Sequence, residues 1–412
     1  MDYQELKKLM NEQKEEMTPS ERMAAYMKGE EVDCIPYGIL APEMAIADLM
    51  GYSTKQMSED PEVMTKVIRE KDVTYNNFGF GVGPDLRTIG VALGSKLFTP
   101  EYGVPRIEEH VLMDYADFDK LKVVDPYDNP VLTPMIEMAK QLKKLLPDYP
   151  ISTGVTGPVS CAAAIRPVDL MLRDTRKNPE MLKKLLKLSN ECSLKWVEAF
   201  CKEFGPCSVF ISDPVTCSDI LSKKQFDEFS YPYLKELIDG LYEITEQPPM
   251  IHICGKTKPI WNDIANSGVC AFSIDNCEDL AEAKEAIGDK VMLMGNVPPV
   301  DVMLNGTIDE VIASCKECIK KAGDSPKGFQ LNVGCQTPFG TPKENMEALI
   351  YAARKYGRGA KIGCLPKGFQ LNVGCQTPFG TSKENMEALI YAARKYGRGA
   401  KIGCLPKGLQ ED

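Results

Sequence analysis

Short apolar runs alternate with longer amphipathic segments along most of this chain. From about Tyr149 onward, the apolar runs have the length and composition of buried strands, and the segments between them show the apolar spacing of helices. The predicted strands cover residues 151–155, 207–211, 249–253, 269–274, 291–294 and 329–333, and the predicted helices cover 180–204, 224–245, 257–267, 279–287 and 308–322. Polar residues collect directly after the strands. This pattern predicts an α/β fold, a (β/α)8 TIM barrel whose active face lies at the carboxyl ends of the strands.

The N-terminal part departs from this regular alternation. Residues 1–30 have a helical pattern, in which Thr18 to Glu21 is a capping box with proline at the first helical position. A first strand is predicted over 33–39, and two or three helices over 41–71. Residues 89–112 are strand-like with Gly and Pro breaks, which predicts a β-hairpin outside the main repeat. An open doubly wound sheet is the alternative fold, but no Gly-rich phosphate loop of the expected spacing is present.

The C-terminus contains a long internal repeat. Residues 327–366 recur as 367–406, and the copies differ only at Pro342 and Ser382. Each copy is a βα unit, and two copies are too few for a solenoid, so a duplication or a sequence-assembly artefact explains them better than a functional repeat. A closed barrel has one place for this unit. We expect the first copy to fill it, because seating the second would force forty residues to loop out. The predicted barrel is therefore 1–366, with an N-terminal extension of about 1–34, and 367–412 is surplus to it.

Composition limits the classes of function. The 412 residues are 43% hydrophobic and 26% charged, which is ordinary for a globular protein. A formal net charge of −10 argues against nucleic acid or an anionic membrane as the main partner. No apolar run reaches membrane-spanning length, and the charged N-terminus does not resemble a signal peptide. Fifteen cysteines scattered through predicted helices and strands indicate reduced thiols, and so a cytoplasmic protein.

Three residues at predicted strand ends form a candidate metal site. His252 and Cys254 are two positions apart on one strand, so their side chains point to the same side, and Cys335 ends a later strand. One histidine and two cysteines suit a catalytic zinc, which has three protein ligands and one open position. The structural alternative is an ordinary core histidine. If the second repeat copy closes the barrel instead, Cys375 takes the place of Cys335.

Several motifs together resemble one enzyme family. They are Thr18-Pro19-Ser20-Glu21-Arg22-Met23, Gly29 to Pro36, Thr156-Gly157-Pro158, Asp213-Pro214, His252-Ile253-Cys254-Gly255, Ser273-Ile274-Asp275, Met294-Gly295-Asn296-Val297 and Gly334-Cys335 followed by Thr341 to Asn345. On these residues the sequence resembles the uroporphyrinogen decarboxylase superfamily, and within it the zinc-dependent methylcobamide:coenzyme M methyltransferases. The resemblance extends from Thr18 to about Gly357. The His-x-Cys with a distant Gly-Cys is its most specific part.

The resemblance implies a reaction and a set of partners. A methyl group would pass from a methylcorrinoid, carried on a separate corrinoid protein, to a small thiol such as coenzyme M activated by zinc. Asp213, Asp275 and Asn296 would hold the polar tail of the thiol or a zinc-bound water, and loop capping or helix capping is an equally weighted alternative for each. Gly157 and Pro158 would line the mouth of the barrel beside the corrinoid.

Two departures from the family pattern leave alternatives open. Residues 37–43 contain none of the arginines that hold the substrate carboxylates in true decarboxylases, so porphyrinogen decarboxylation is not expected. Residues 336–340 differ from the coenzyme M enzymes, so the thiol is not identified. A corrinoid methyltransferase with another acceptor and a non-catalytic zinc-binding barrel are the alternatives. The oligomeric state and the upstream methyl donor stay open.

Overall fold

A seven-stranded parallel sheet forms the centre of the protein, as seen in a computed structural model that describes residues 1–75 and 79–367. The strands are β1 Phe80–Gly81, β2 Lys96–Phe98, β3 Arg106–Glu109, β4 Ile151–Thr156, β5 Val209–Ser212, β6 Met250–Ile253, β7 Ala271–Ile274, β8 Met292–Val297 and β9 Phe329–Val333. The sheet order is β1-β4-β5-β6-β7-β8-β9, and β2 and β3 form a separate antiparallel pair. Within the described ranges, no helix is long and apolar enough to cross a membrane.

Helices follow the strands and cover the sheet. They are α1 Tyr3–Glu12, α2 Pro19–Met27, α3 Glu43–Leu49, α4 Thr54–Glu59, α5 Pro61–Tyr75, α6 Thr88–Ala92, α7 Leu132–Leu145, α8 Pro158–Ile165, α9 Val168–Lys177, α10 Pro179–Phe204, α11 Lys223–Gln225, α12 Tyr231–Thr245, α13 Trp261–Ala265, α14 Leu280–Ile287, α15 Ile308–Ala322 and α16 Lys343–Tyr356. The π-helical residues Phe226–Ser230 join α11 to α12, and a second π-helical turn covers Pro299–Leu304. Every residue of β8 is buried, as expected for a parallel strand covered on both faces.

An eighth strand position lies beside β9. Tyr37 forms a parallel bridge with Leu331, flanked by hydrogen bonds from Gly38 N–H to the Leu331 carbonyl (2.9 Å) and from Leu331 N–H to the Pro36 carbonyl (2.9 Å). The predicted first strand is therefore reduced to a short bridging segment at one side of the sheet, with β1 at the other. The predicted (β/α)8 TIM-barrel class is confirmed, with the N-terminal helices and the β2–β3 hairpin as additions.

The sequence patterns predict most of these elements and miss a few. The capping box at Thr18 is present, because its hydroxyl accepts from Glu21 N–H while the Glu21 carboxylate accepts from Thr18 N–H. α7 has no counterpart in the predictions. Its Pro134 interrupts the helical pattern, but it lies in the first turn, where the N–H groups have no intrahelical acceptor in any case. β1 has only two residues, too few to show the alternation of apolar and polar positions by which a strand is predicted.

The first repeat copy forms β9 and α16. β9 pairs in register with β8, from Leu293 beside Phe329 to Val297 beside Val333. α16 buries the predicted apolar stripe of Met346, Leu349, Ile350 and Ala353, each 0% exposed. Residues 368–412, which contain most of the second copy and Cys375, lie outside the described residues, so the division into a barrel and a surplus copy stays a prediction.

Parallel pairing brings several predicted site residues to one edge of the sheet. His252 on β6 lies beside Ser212 of β5 and Ser273 of β7. Cys254 and Asp275 follow directly after β6 and β7. They lie side by side because the residues before them, Ile253 and Ile274, are register partners. Cys335 follows two residues after Val333 at the end of β9. The carboxyl ends of neighbouring parallel strands meet at one edge, so these side chains converge.

Candidate metal centre

Four side chains meet at the carboxyl end of the barrel. The Nε2 atom of His252 lies 3.1 Å from the Cys254 Sγ atom, and the Sγ atoms of Cys254 and Cys335 are 3.5 Å apart. A carboxylate oxygen of Asp275 joins them, and the four potential ligand atoms all lie within 4.8 Å of one another. His252 is 5% and Asp275 9% exposed, whereas the two cysteines are half-buried, so the cluster opens toward solvent on its sulfur side.

The spacing of the donor atoms fits a zinc ion. Zinc–sulfur bonds of about 2.3 Å in a tetrahedral site place two sulfurs about 3.8 Å apart, and a zinc-bound imidazole nitrogen lies about 3.5 Å from each sulfur. The observed 3.5 Å between the sulfurs and 3.1 Å between Nε2 and Sγ are slightly shorter. Small outward shifts of the three side chains would therefore accommodate the ion.

The orientation of His252 leaves one ring nitrogen for the metal. Its Nδ1 atom lies 3.2 Å from the carbonyl oxygen and 3.1 Å from the hydroxyl of Ser273. A carbonyl can only accept, so this contact favours a proton on Nδ1 and a free lone pair on Nε2, which faces Cys254. A hydrogen bond of this kind is the usual support of a metal-binding histidine. Ser273 belongs to one of the family motifs, but its contact with His252 could not be predicted, because it depends on strand register.

The two thiols differ in acidity because they contact each other. Their mutual hydrogen bond is the main cause that lowers the pKa of Cys335, with the neighbouring His252 acting in the same direction and burial opposing it. The same hydrogen bond, together with burial, raises the pKa of Cys254 well above its ordinary value. Of the two metal-facing cysteines, Cys335 is therefore the one that loses its proton more readily.

Asp275 is held in place by the backbone of two loops. Its Oδ2 atom accepts from Gly255 N–H at 2.9 Å, and its Oδ1 atom accepts from Cys277 N–H at 3.0 Å. Gly255 has φ +76°, a left-handed conformation that glycine adopts without strain. The carboxylate is thereby fixed beside the His252 and Cys254 ligand atoms. Its position beside the metal-facing side chains is compatible with the predicted role of holding the thiol tail or a zinc-bound water, which stays a prediction.

Asn296 uses its side chain to hold the loop that carries Asp275. Its Nδ2 atom donates to the Asp275 carbonyl at 3.1 Å and to the Glu278 carbonyl at 2.8 Å. Its Oδ1 atom accepts from the Cys318 thiol at 3.6 Å. Both amide hydrogens are therefore engaged by the backbone, and Asn296 contacts the candidate site through the 275–278 loop.

Asp213 caps a helix from the neighbouring strand. Its Oδ1 atom accepts from Ser160 N–H in the first turn of α8 at 2.8 Å, and its Oδ2 atom is buried without a hydrogen-bond partner. Burial raises the pKa of Asp213 to about 6. Gly157 is the N-cap residue of α8, and a Cβ atom added there would lie 2.4 Å from the Asp213 side chain. Gly157 and Pro158 are both buried, so their predicted contact with a corrinoid stays a prediction.

Comparison with known proteins identifies the family of this chain. The sequence model of the uroporphyrinogen decarboxylase (URO-D) family matches residues 18–356. The chain belongs to this family. It is similar to a methylcobamide:CoM methyltransferase of Methanosarcina barkeri, with 26% identity over 350 residues that cover 83% of this chain and 99% of the relative. It is also similar to a uroporphyrinogen decarboxylase of Dechloromonas aromatica, with 26% identity over 287 residues that cover 66% of this chain and 78% of the relative.

A solved structure supports the fold of this URO-D family member. A methyltransferase from Methanosarcina mazei superimposes with a TM-score of 0.70 at 24% identity, and the match covers 82% of this chain and 98% of that chain. The predicted resemblance to the superfamily and to its methylcobamide:coenzyme M branch is therefore confirmed. At this identity, the structural likeness is evidence for the fold alone.

Proposed function

We propose that this URO-D family member is a zinc-dependent methyltransferase that moves a methyl group from a methylcorrinoid to a thiol. The observation that carries the proposal is the convergence of His252, Cys254 and Cys335, with 3.1 Å and 3.5 Å between successive ligand atoms, at the end of the barrel where such enzymes place their active sites. The similarity to methylcobamide:CoM methyltransferases supports the same reaction class. The corrinoid would arrive on a separate carrier protein.

The three ligand residues prepare the site for a thiol. Bound zinc would lower the pKa of an incoming thiol, so that it reacts as a thiolate near neutral pH. Cys254 and Cys335 would be anionic ligands, and Ser273 would keep the Nε2 atom of His252 available. Two anionic sulfurs and one neutral imidazole would keep the acceptor sulfur rich in electrons.

The methyl transfer needs no added oxidant or reductant. The acceptor thiol loses its proton to solvent, and its sulfur forms the new bond to the methyl carbon. The carbon–cobalt bond breaks, and its electron pair stays on the corrinoid.

Asp275, fixed by Gly255 N–H at 2.9 Å, would position the thiol or a water before reaction. Asn296 would act through the loop that carries Asp275. Direct contact of Asp213 with the thiol stays the less supported part of the proposal, because that residue is 0% exposed.

Porphyrinogen decarboxylation is disfavoured by the residues around the first strand position. Residues 38–42 are uncharged, and the next carboxylate, Glu43, pairs with Lys71 at 3.0 Å. This segment therefore offers no cation for the substrate carboxylates of a porphyrinogen.

The proposal is tested by following methyl transfer from methylcobalamin to a small thiol. We expect the zinc-loaded protein to convert methylcobalamin with formation of the methyl thioether, and Cys335→Ser to lose at least 99% of the rate, on the order of the loss expected for a catalytic-site residue. Cys270→Ser is the matched control, since this exposed thiol lies at the opposite, amino end of β7 and outside the metal cluster. Equal rates for wild type and Cys335→Ser would refute the proposal.

A further inference from the structure

The loops at the carboxyl end of the barrel carry an excess of acidic residues. We define the exit loops as the segments between each strand position and the helix that follows, all within the described residues: 38–42, 82–87, 157, 213–222, 254–260, 275–279, 298–307 and 334–342. They contain seven acidic residues, Asp85, Asp213, Asp219, Asp275, Glu278, Asp279 and Asp301, and three basic residues, Arg87, Lys256 and Lys258.

Each of the three basic residues in the exit loops already has an acidic partner. Arg87 pairs with Asp85 at 2.7 Å in its own loop. Lys256, two residues after the metal-facing Cys254, pairs with Asp219 at 3.3 Å. Lys258 pairs with Glu282 at 2.7 Å. The exit loops therefore contain no unpaired cation that could bind an anionic ligand.

The loops nearest the candidate ligands have the same bias. The loop 334–342, which carries Cys335, contains no charged residue, and Lys343 directly after it pairs with Glu70 at 3.5 Å. The loop 275–279 has three acidic residues and no basic one, and of these three only Asp279 has a cationic partner among the described residues, Lys321 at 2.7 Å. The β2–β3 hairpin reaches this face, because the Tyr102 ring lies 5.7 Å from that of Phe339. In the hairpin, Lys96 pairs with Glu109 at 2.7 Å, and Arg106 lies over the Phe98 ring at 4.1 Å.

We propose that the acceptor is a thiol without an anionic group, and that a cationic tail is preferred to a neutral one. This inference rests on the proposed function. A zinc ion with the thiolates of Cys254 and Cys335 would be neutral, so Asp275 makes the site anionic and a bound thiolate adds further negative charge. A sulfonate or carboxylate tail would add more, with no unpaired cation in the exit loops to balance it. A positively charged tail would instead lie close to Asp275 and Glu278. At a separation of about 8 Å and an effective dielectric constant of about 20, one such unit-charge interaction changes an equilibrium constant about thirty-fold.

Three thiols that share a mercaptoethyl group test the effect of the charge of the tail. Cysteamine and 2-mercaptoethanol carry a cationic and a neutral tail of the same size, and coenzyme M carries a larger, anionic sulfonate. Their dissociation constants can be measured on the cobalt-substituted protein from the thiolate-to-cobalt absorption, and each is corrected for the thiolate fraction of the free thiol. We expect cysteamine to bind at least about ten-fold more tightly than coenzyme M, with 2-mercaptoethanol between them.

Two matched variants test whether the paired lysines cause this selectivity. Asp219→Asn leaves Lys256 without its carboxylate partner while keeping an acceptor for Lys256 N–H. The ratio of the coenzyme M dissociation constant to that of cysteamine should fall at least about threefold in this variant. Glu282→Gln frees Lys258, two residues further from Cys254, and should leave the ratio unchanged.

The outcomes distinguish this inference from the proposed function. Equal or tighter binding of coenzyme M than of cysteamine would overturn the preference while leaving thiol activation intact. A ratio that does not change in Asp219→Asn would overturn the role of the Lys256 pairing. If none of the three thiols changes the cobalt absorption, thiol activation itself is wrong, and the inference falls with it.

Discussion

The Sγ atoms of Cys254 and Cys335 lie 3.5 Å apart, although 81 residues separate them in the chain. The two sulfurs are brought together by the parallel strands that end at one edge of the barrel. Neither sulfur belongs to a disulfide, so both are available to a metal. This contact, with the His252 Nε2 atom beside it, is the structural basis of the proposed zinc site.

Removal of the Cys335 thiol should weaken metal binding severely. We expect Cys335→Ala to lower zinc affinity by more than about 100-fold, because a ligand is lost rather than its outer support. Competition with a chromophoric chelator measures the affinity. Cys375→Ala is the matched control from the second repeat copy and should leave the affinity unchanged. The reverse result would place the second copy in the barrel.

The Ser273 hydroxyl should make a smaller contribution than a ligand. Ser273→Ala removes the Oγ atom 3.1 Å from the Nδ1 atom of His252 but keeps the backbone carbonyl at 3.2 Å. We therefore expect zinc affinity to fall by about tenfold or less, at the low end of the range for residues that orient a metal ligand. The same chelator competition measures it, and a loss as large as that of Cys335→Ala would contradict this division of roles.

Asp213 should contribute mainly to stability. Its Oδ1 atom caps α8 through Ser160 N–H, which the N-cap residue Gly157 cannot do for lack of a side chain. Asp213→Ala should lower the free energy of unfolding by about 1 to 2 kcal/mol, and Asp213→Asn, which keeps an acceptor oxygen, should recover most of it. Urea denaturation measures both. Unchanged stability with lost thiol binding would instead assign Asp213 to the substrate.

The Arg22–Asp33 ion pair should make stability sensitive to acid. Arg22 donates to both carboxylate oxygens of Asp33, at 2.7 Å and 2.9 Å. Burial alone would raise the pKa of Asp33, but the hydrogen bonds from Arg22 and the backbone lower it to about 2 from the ordinary value of 3.8. A depressed folded-state pKa stabilises the protein above the unfolded value, and this stabilisation is lost as the pH falls.

The expected size of that effect is about 2 kcal/mol of unfolding free energy, lost between about pH 4 and pH 2. Asp33→Asn removes the titrating carboxylate, so the stability difference between wild type and this variant should shrink over the same interval. Urea denaturation at a series of pH values measures it. A difference that is constant from pH 6 to about pH 2 would contradict the assignment.

The sequence is sufficient to predict the barrel and the convergence of the three proposed zinc ligands. Each ligand follows an apolar strand, and parallel strands must end at one edge, so His252, Cys254 and Cys335 could be placed together without coordinates. The hydrogen bonds of the surrounding polar side chains could not be predicted in this way. Asp213 reaches Ser160 across 53 residues, and Asn296 reaches the Glu278 carbonyl across 18. Such contacts depend on strand register and loop path, which no local pattern in the sequence reports.

The same limit explains why α8 was not predicted and why the first strand is shorter than predicted. α8 is buried along its whole length, from Pro158 to Ile165, so its sequence shows no polar face and no clear helical period. The first strand position forms only the bridge between Tyr37 and Leu331. Both are fixed by packing against neighbouring elements rather than by their own residue pattern.

The proposed zinc site binds its ion through His252, Cys254 and Cys335 and keeps one position open to a thiol. Zinc X-ray absorption on the purified protein, with and without a small thiol, can detect both the ion and the open position. We expect two sulfur ligands and one imidazole in the protein alone, and a third sulfur when the thiol is added. Absence of zinc, or a sulfur count that stays at two with every thiol tried, would refute the proposal.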